Sequence, residues 1–218
     1  PLPDDASHSV GPQEGLPNVF IYGDSVSQDY TEDLRDELKN EATVFRMFTN
    51  GGDSSTIIKK MKALQKSMFQ PNLKGGWNFE WDVIQFNVGL HDLKYLDENR
   101  KYDLDNGVQV SSPKVYKENL QNAIEYFKKE HPKAKLIYAL TTPVPAGSAG
   151  RKEGDAVVFN NAALEVLKMY PEITINDLYS FTKPHMNEWQ RGKGNVHYKE
   201  NGSAAQAKQV AKVIKSIL

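Results

Sequence analysis

The 218-residue chain has no cysteine, which excludes disulfide staples and thiolate metal sites and leaves the redox compartment unmarked in the composition. No apolar run approaches the roughly 18 residues that a membrane span requires, and no charged-then-apolar signal opens the chain. Lysine and arginine total 27 against 28 aspartate and glutamate, a formal net charge of −1. No excess of either sign therefore argues for nucleic acid or an anionic membrane as partner. Internal repeats, low-complexity tracts and internal linkers are also lacking. What is present is a globular balance, 39% hydrophobic and 25% charged, in a length that can bury one continuous core. Pro1 to Leu16 lacks a starting Met and mixes Pro, Gly, Ser and Asp, as the mature end left by signal removal does. The expectation is a flexible segment over 1–17, one domain over 18–218, and a secreted or periplasmic location, with a cytoplasmic one as the alternative.

Along the chain, short apolar runs alternate with helical spacing. Val19 to Tyr22 reads as a strand stopped by Gly23, and Tyr30 to Asn40 as a helix with Leu34 and Leu38 on one side. Thr43 to Phe48 is a second strand, followed by a helix over Ser54 to Met68; Asp82 to Phe86 is a third. After a polar loop, Pro113 to Glu130 is helical and Lys135 to Leu140 is a strand. A Pro- and Gly-rich loop over Thr141 to Gly154 leads to a helix over Asp155 to Tyr170, a strand at Ile173 to Asn176 and a last helix over Ser203 to Leu218. This alternation predicts a three-layer α/β/α fold with a mainly parallel sheet. Ligands gather beyond the carboxyl ends of such strands, so the loops at Gly23, Gly51, Gly89 and Thr141 should share one rim.

Four polar stretches fall on that rim. Gly23-Asp24-Ser25-Val26-Ser27 lies where a buried strand turns into a helix, which exposes a hydroxyl beside a helix-start amide; Asp and Ser are also preferred N-caps. Asn50-Gly51-Gly52-Asp53-Ser54-Ser55 allows close backbone approach to a ligand, or simply makes a turn and a cap. Asn87-Val88-Gly89-Leu90-His91-Asp92 and Gly194-Asn195-Val196-His197 each bring a histidine, which taken singly can be structural. Together they supply a serine, glycine amides and two histidines.

In order and spacing these blocks resemble those of the SGNH/GDSL hydrolases, over Val19 to Leu218. In that family the blocks contribute a serine in Gly-Asp-Ser, a glycine, an asparagine in Gly-X-Asn-Asp and a histidine in Asp-X-X-His. The resemblance implies the flavodoxin-like SGNH fold and ester hydrolysis without a cofactor, on a small-molecule or polysaccharide ester such as an O-acetylated carbohydrate. Ser25 matches the nucleophile, His197 the general base and Gly52 the second-block glycine, with Asp24, Asn50, Gly51 and Asp92 around the substrate. Two positions depart from the pattern. His91 stands where the family has asparagine, and a ring N–H can still donate to the oxyanion. Gly194 stands where the family has the carboxylate, so either a backbone carbonyl or Asn195 must hold His197.

Some residues are readable in two ways. Trp77, Trp81 and Trp189 can stack on sugar rings or pack in the core. Thr142 opens the loop that ends near Arg151, which could bind a carboxylate or sulfate on an acidic sugar or lie free on the surface. Asp24, His91, Asp92 and His197 lack the spacing of a metal set, such as His-X-X-X-His. The missing carboxylate also leaves open a glycan-binding module of the same fold that has lost its chemistry.

Overall fold

The computed structural model describes residues 11–218. Five parallel strands form the sheet: β1 (Asn18–Tyr22), β2 (Thr43–Arg46), β3 (Val83–Phe86), β4 (Lys135–Ala139) and β5 (Thr174–Asn176). Their order is β2-β1-β3-β4-β5. Val19, Phe20 and Ile21 have no exposed surface, which is why β1 is a continuous apolar run instead of an alternating one. Its register places Val19 beside Val44 and Val83, and Tyr22 beside Phe86.

Five helices cover the sheet: α1 (Ser25–Glu37), α2 (Ile57–Met68), α3 (Pro113–Glu130), α4 (Asp155–Leu167) and α5 (Glu200–Lys215). The crossover β1-α1-β2 runs one way along the sheet and the next three run the other way. With right-handed crossovers, α1 lies on one face and α2, α3 and α4 on the opposite one. In keeping with this, α5 packs on α1, α4 packs on α3, and α2 touches α3. This is the three-layer arrangement expected, with its switch point between β1 and β3, where a crevice opens at the strand ends.

Several elements differ from the expectation. α1 begins at Ser25, more than a turn before Tyr30, because Asp24 caps it: Asp24 Oδ1 accepts the Val26 N–H at 3.0 Å. α5 likewise starts at Glu200, ahead of Ser203. The polar loop after β3 contains a two-stranded antiparallel hairpin, Tyr95–Leu96 with Val108–Gln109, and short helices at Leu178–Thr182 and Met186–Trp189 follow β5. Strands of two residues carry no readable period.

Trp77 and Trp81 are 1% and 2% exposed, so they do not meet sugar. They interlock edge-to-face at 5.6 Å and pack on Phe45 at 5.1 and 5.3 Å. Trp189 is buried as well, stacked on His185 at 4.1 Å. Of the expected flexible segment, residues 1–10 lie outside the described residues; beyond them, the Gln13 N–H donates to Thr43 Oγ1 at 3.2 Å. Among the described residues no helix is long and apolar enough to cross a membrane.

Candidate active site

Ser25 is the first residue of α1, so its backbone N–H is one of those a helix leaves without a carbonyl partner. Its side chain is half-buried, and Oγ lies 2.7 Å from His197 Nε2. The turn that presents it is tight: Ser27 Oγ bonds back to the Asp24 carbonyl at 2.6 Å, and a Cβ on Gly23 would stand 2.7 Å from that same Oγ.

His197 lies in the loop before α5. Its Nδ1 is 2.8 Å from Asn195 Oδ1, and the same oxygen accepts the His197 backbone N–H at 2.9 Å. That backbone bond settles the tautomer. An atom accepting an N–H must be the amide oxygen, so the ring Nδ1 facing it carries a proton and Nε2 presents its lone pair to the Ser25 hydroxyl. The result is a Ser25-His197-Asn195 relay with the polarity of a serine-hydrolase triad. Gln190 Nε2 holds the Asn195 carbonyl at 3.0 Å, and Arg191 joins the loop to α1 through Asp29 at 3.1 Å.

Gly194 has φ +71°, and a Cβ there would meet the Gly147 carbonyl oxygen at 2.5 Å. The space an acidic side chain would need is filled by the loop after β4, whose Ser148 hydroxyl donates to the Gly194 carbonyl at 2.8 Å. A glycine here is thus a packing requirement, and the polar partner of His197 comes from the next residue along.

The loop after β2 sits against the first block: the Gly51 N–H donates to the Gly23 carbonyl at 2.8 Å, and a Cβ on Gly51 would stand 2.7 Å from that oxygen. The Gly52 N–H donates to Asn50 Oδ1 at 2.8 Å. The Gly51 and Gly52 amides and the Asn50 oxygen, expected at the second-block glycine and around the substrate, are here bonded to each other and to the neighbouring loop.

In the third block, Gly89 has φ +149° and lies against Thr141, where a Cβ would fall 2.1 Å from Oγ1. The preceding carbonyl, that of Val88, accepts from Tyr116 and Tyr138 hydroxyls at 3.0 Å each and from Thr141 Oγ1 at 2.9 Å. So pinned, the loop carries His91, whose Nδ1 is 3.1 Å from Lys94 Nζ. An ammonium can only donate, so Nδ1 accepts and the proton of the neutral ring sits on Nε2. Burial, then the charges of Lys94 and Arg151, push the His91 pKa down to about 4, which keeps the ring neutral at pH 7.

The other candidates are placed as supports. Asp92 has no exposed surface; its two oxygens accept the Ser54 N–H at 3.0 Å and one accepts the Ser54 hydroxyl at 2.5 Å, which ties the third block to the second. Burial raises its pKa to about 6. Asp24 and Thr142 are 1% and 3% exposed. Asp24 and Asp92, expected around the substrate, and Thr142, expected to open a binding loop, are thus all buried. Arg151 is half-buried and tied to its surroundings instead of lying free on the surface, since its Nε donates to the Leu90 carbonyl at 2.8 Å and Nη1 to the Ala149 carbonyl at 3.3 Å. A cavity of about 430 Å³ opens beside His91, lined also by Asp53, Lys94, Arg100, Lys101 and Tyr102. Sequence reasoning passed over these last four; their only signal was three cations within a short polar loop.

No family model and no curated protein matches the chain. Solved structures do. A lipase/acylhydrolase from Enterococcus faecalis aligns at TM-score 0.67 with 17% identity over 92% of this chain and 96% of its own. A GDSL-like lipase from Parabacteroides merdae aligns at 0.65 with 13% identity, over 94% and 99%. An acetyl xylan esterase aligns at 0.63 with 16% identity, over 91% and 98%. At these identities the likeness is one of fold: the chain has the α/β architecture of GDSL and SGNH hydrolases.

Proposed function

We propose that the chain is a serine ester hydrolase that works through an acyl-enzyme, with O-acetylated carbohydrate as its substrate class. The observation that carries this is the relay from Asn195 Oδ1 through His197 to Ser25 Oγ, with bonds of 2.8 and 2.7 Å and a tautomer that leaves Nε2 basic toward the serine. The fold of ester hydrolases supports the reaction class. The acetyl xylan esterase among the structural neighbours supports the substrate class.

Ser25 Oγ attacks the ester carbonyl as His197 Nε2 takes its proton, and the imidazolium leans on Asn195 Oδ1. The Ser25 N–H and the His91 Nε2–H stabilise the oxyanion. Collapse returns the proton from His197 to the departing alkoxide and leaves Ser25 acylated. Water, deprotonated by His197, then attacks the acyl carbonyl; a second tetrahedral species releases acetate, and the proton returns to Ser25 Oγ. Asn195 is neutral, so it orients His197 without the full charge stabilisation a carboxylate gives. The glycan-binding reading rests on the two departures, His91 and Gly194; Asn195 Oδ1 beside His197 Nδ1 supports the esterase reading over it. Ser25→Ala should abolish release of para-nitrophenol from its acetate ester while leaving the circular dichroism and Tm unchanged; retained turnover would overturn the assignment.

A further inference from the structure

The chain carries a net charge of −1, yet the cavity beside His91 is lined by three cations, Lys94, Arg100 and Lys101, against one carboxylate, Asp53. That carboxylate is already engaged by the Ser55 N–H at 3.1 Å and by the Ser55 hydroxyl. Elsewhere basic side chains find acidic partners: Lys117 with Glu165, Lys128 with Glu172, Lys215 with Glu41. Among the described residues none of the three cavity cations makes such a pair.

The backbone that carries Arg100 and Lys101 is held in a closed turn. Asp97 Oδ1 accepts the Asn99 and Lys101 N–H groups at 2.9 and 2.8 Å, and the Asp97 N–H donates to the Lys101 carbonyl at 2.8 Å. This closes a small turn in which Arg100 takes φ +61°, a left-handed conformation uncommon for a side-chain-bearing residue. Tyr102, next in the chain, is fixed against Gly150, and the Tyr95 N–H donates to the Gly150 carbonyl at 2.8 Å. Lys94 is half-buried at the inner end, on His91 Nδ1, with Arg151 behind it; burial and that neighbour lower its pKa to about 8. Like charges gathered around one cavity repel one another until a negative group enters.

We infer that this cavity is a subsite for an anionic group, a carboxylate or a sulfate, carried by the same acylated sugar chain whose ester meets Ser25. The inference rests on the esterase reading and narrows it to acidic polysaccharides. His91 links the two halves of the proposal: it lines the cavity with Nδ1 on Lys94, and in the proposed mechanism its Nε2–H is the oxyanion donor.

The test uses one backbone in three forms: partially O-acetylated dextran, O-acetylated carboxymethyl-dextran and O-acetylated dextran sulfate. Acetate release at low salt should show kcat/KM about tenfold higher on a charged form than on the neutral one, the size expected when two or three exposed pairs each contribute modestly. The difference should vanish in about 0.5 M NaCl. Whichever charged form is preferred identifies the anion. In an Arg100→Gln/Lys101→Gln variant the charged-to-neutral ratio should fall to about one, chiefly through KM. A Lys59→Gln/Lys62→Gln variant, with the same charge change on the exposed side of α2, should keep the wild-type ratio. Equal rates on all three dextrans, or equal loss in both double variants, would overturn the subsite and leave the esterase standing. Calorimetric binding of unacetylated carboxymethyl-dextran and dextran sulfate reads the subsite apart from turnover. Binding lost only in Arg100→Gln/Lys101→Gln supports it, and no binding by the wild type overturns it even if no ester is cleaved.

Discussion

In the proposed mechanism, replacing His91 by alanine removes one of two oxyanion donors, the Ser25 N–H and the His91 Nε2–H, since the Gly52 N–H is bonded to Asn50 Oδ1 at 2.8 Å. Losing a single donor of this kind typically lowers kcat by about 10² to 10³, or roughly 3 to 4 kcal/mol. With only one other donor to compensate, the loss here should lie near the upper end. It should fall on kcat with KM little changed, because the donor acts on charge that exists only in the transition state. His91→Asn should recover much of the rate, since an amide N–H reaches a similar point. Lys94→Met, which frees Nδ1 and lets the ring take the wrong tautomer, should cost less, roughly tenfold. Protonation of His91 below about pH 4 keeps the Nε2–H, so the acid limb of the rate profile belongs to another group. Steady-state kinetics on para-nitrophenyl acetate reads all three variants. A wild-type kcat in His91→Ala would refute the oxyanion role and leave His91 structural.

Asn195→Ala should lower kcat by about 10² or more, because His197 loses the acceptor that fixes its tautomer, whereas Asn195→Asp should match or exceed the wild type on the same ester. Gly194→Asp should reduce stability by about 2 kcal/mol or more in thermal melts, since the side chain would enter the Gly147 carbonyl from a left-handed backbone. Asp92 ties stability to pH. Its folded value, about 6, lies above the ordinary 3.8, so the folded state binds the extra proton between those pH values. Its contribution is therefore present at low pH and lost as pH rises through about 6, a change of roughly 2 to 3 kcal/mol that Asp92→Asn should flatten in urea titrations across pH 4 to 7. Asp24, raised by burial in the same direction, leaves a residual slope of the same sign.

The sheet was legible because parallel strands covered on both faces are short apolar runs, and all five lie within or close to the spans expected. Ser25 and His197 were legible as rim residues, and the structure brings them to 2.7 Å. The meaning of Gly194 was not, because it depends on Gly147, a residue far away in sequence that approaches only when the loop after β4 folds back. In the sequence Asn195 and a backbone carbonyl are equal options for holding His197; the fold decides, because the Asn195 oxygen accepts the His197 backbone N–H. Asp24, Asp92 and Thr142 read as site residues because polar groups at strand ends look alike whether they face the ligand or the interior; burial alone separates them. The basic cavity escaped because its hairpin strands are too short to show a period.

In the proposed mechanism His197 activates Ser25 as a nucleophile. Intact-mass and peptide-mapping measurement of the protein after incubation with a fluorophosphonate tests it most directly. One adduct per chain is expected, mapped to Ser25, absent in Ser25→Ala and slowed by about a hundredfold or more in His197→Ala. No adduct on the folded wild-type protein, or an adduct at Ser25 that forms equally fast without His197, would contradict it.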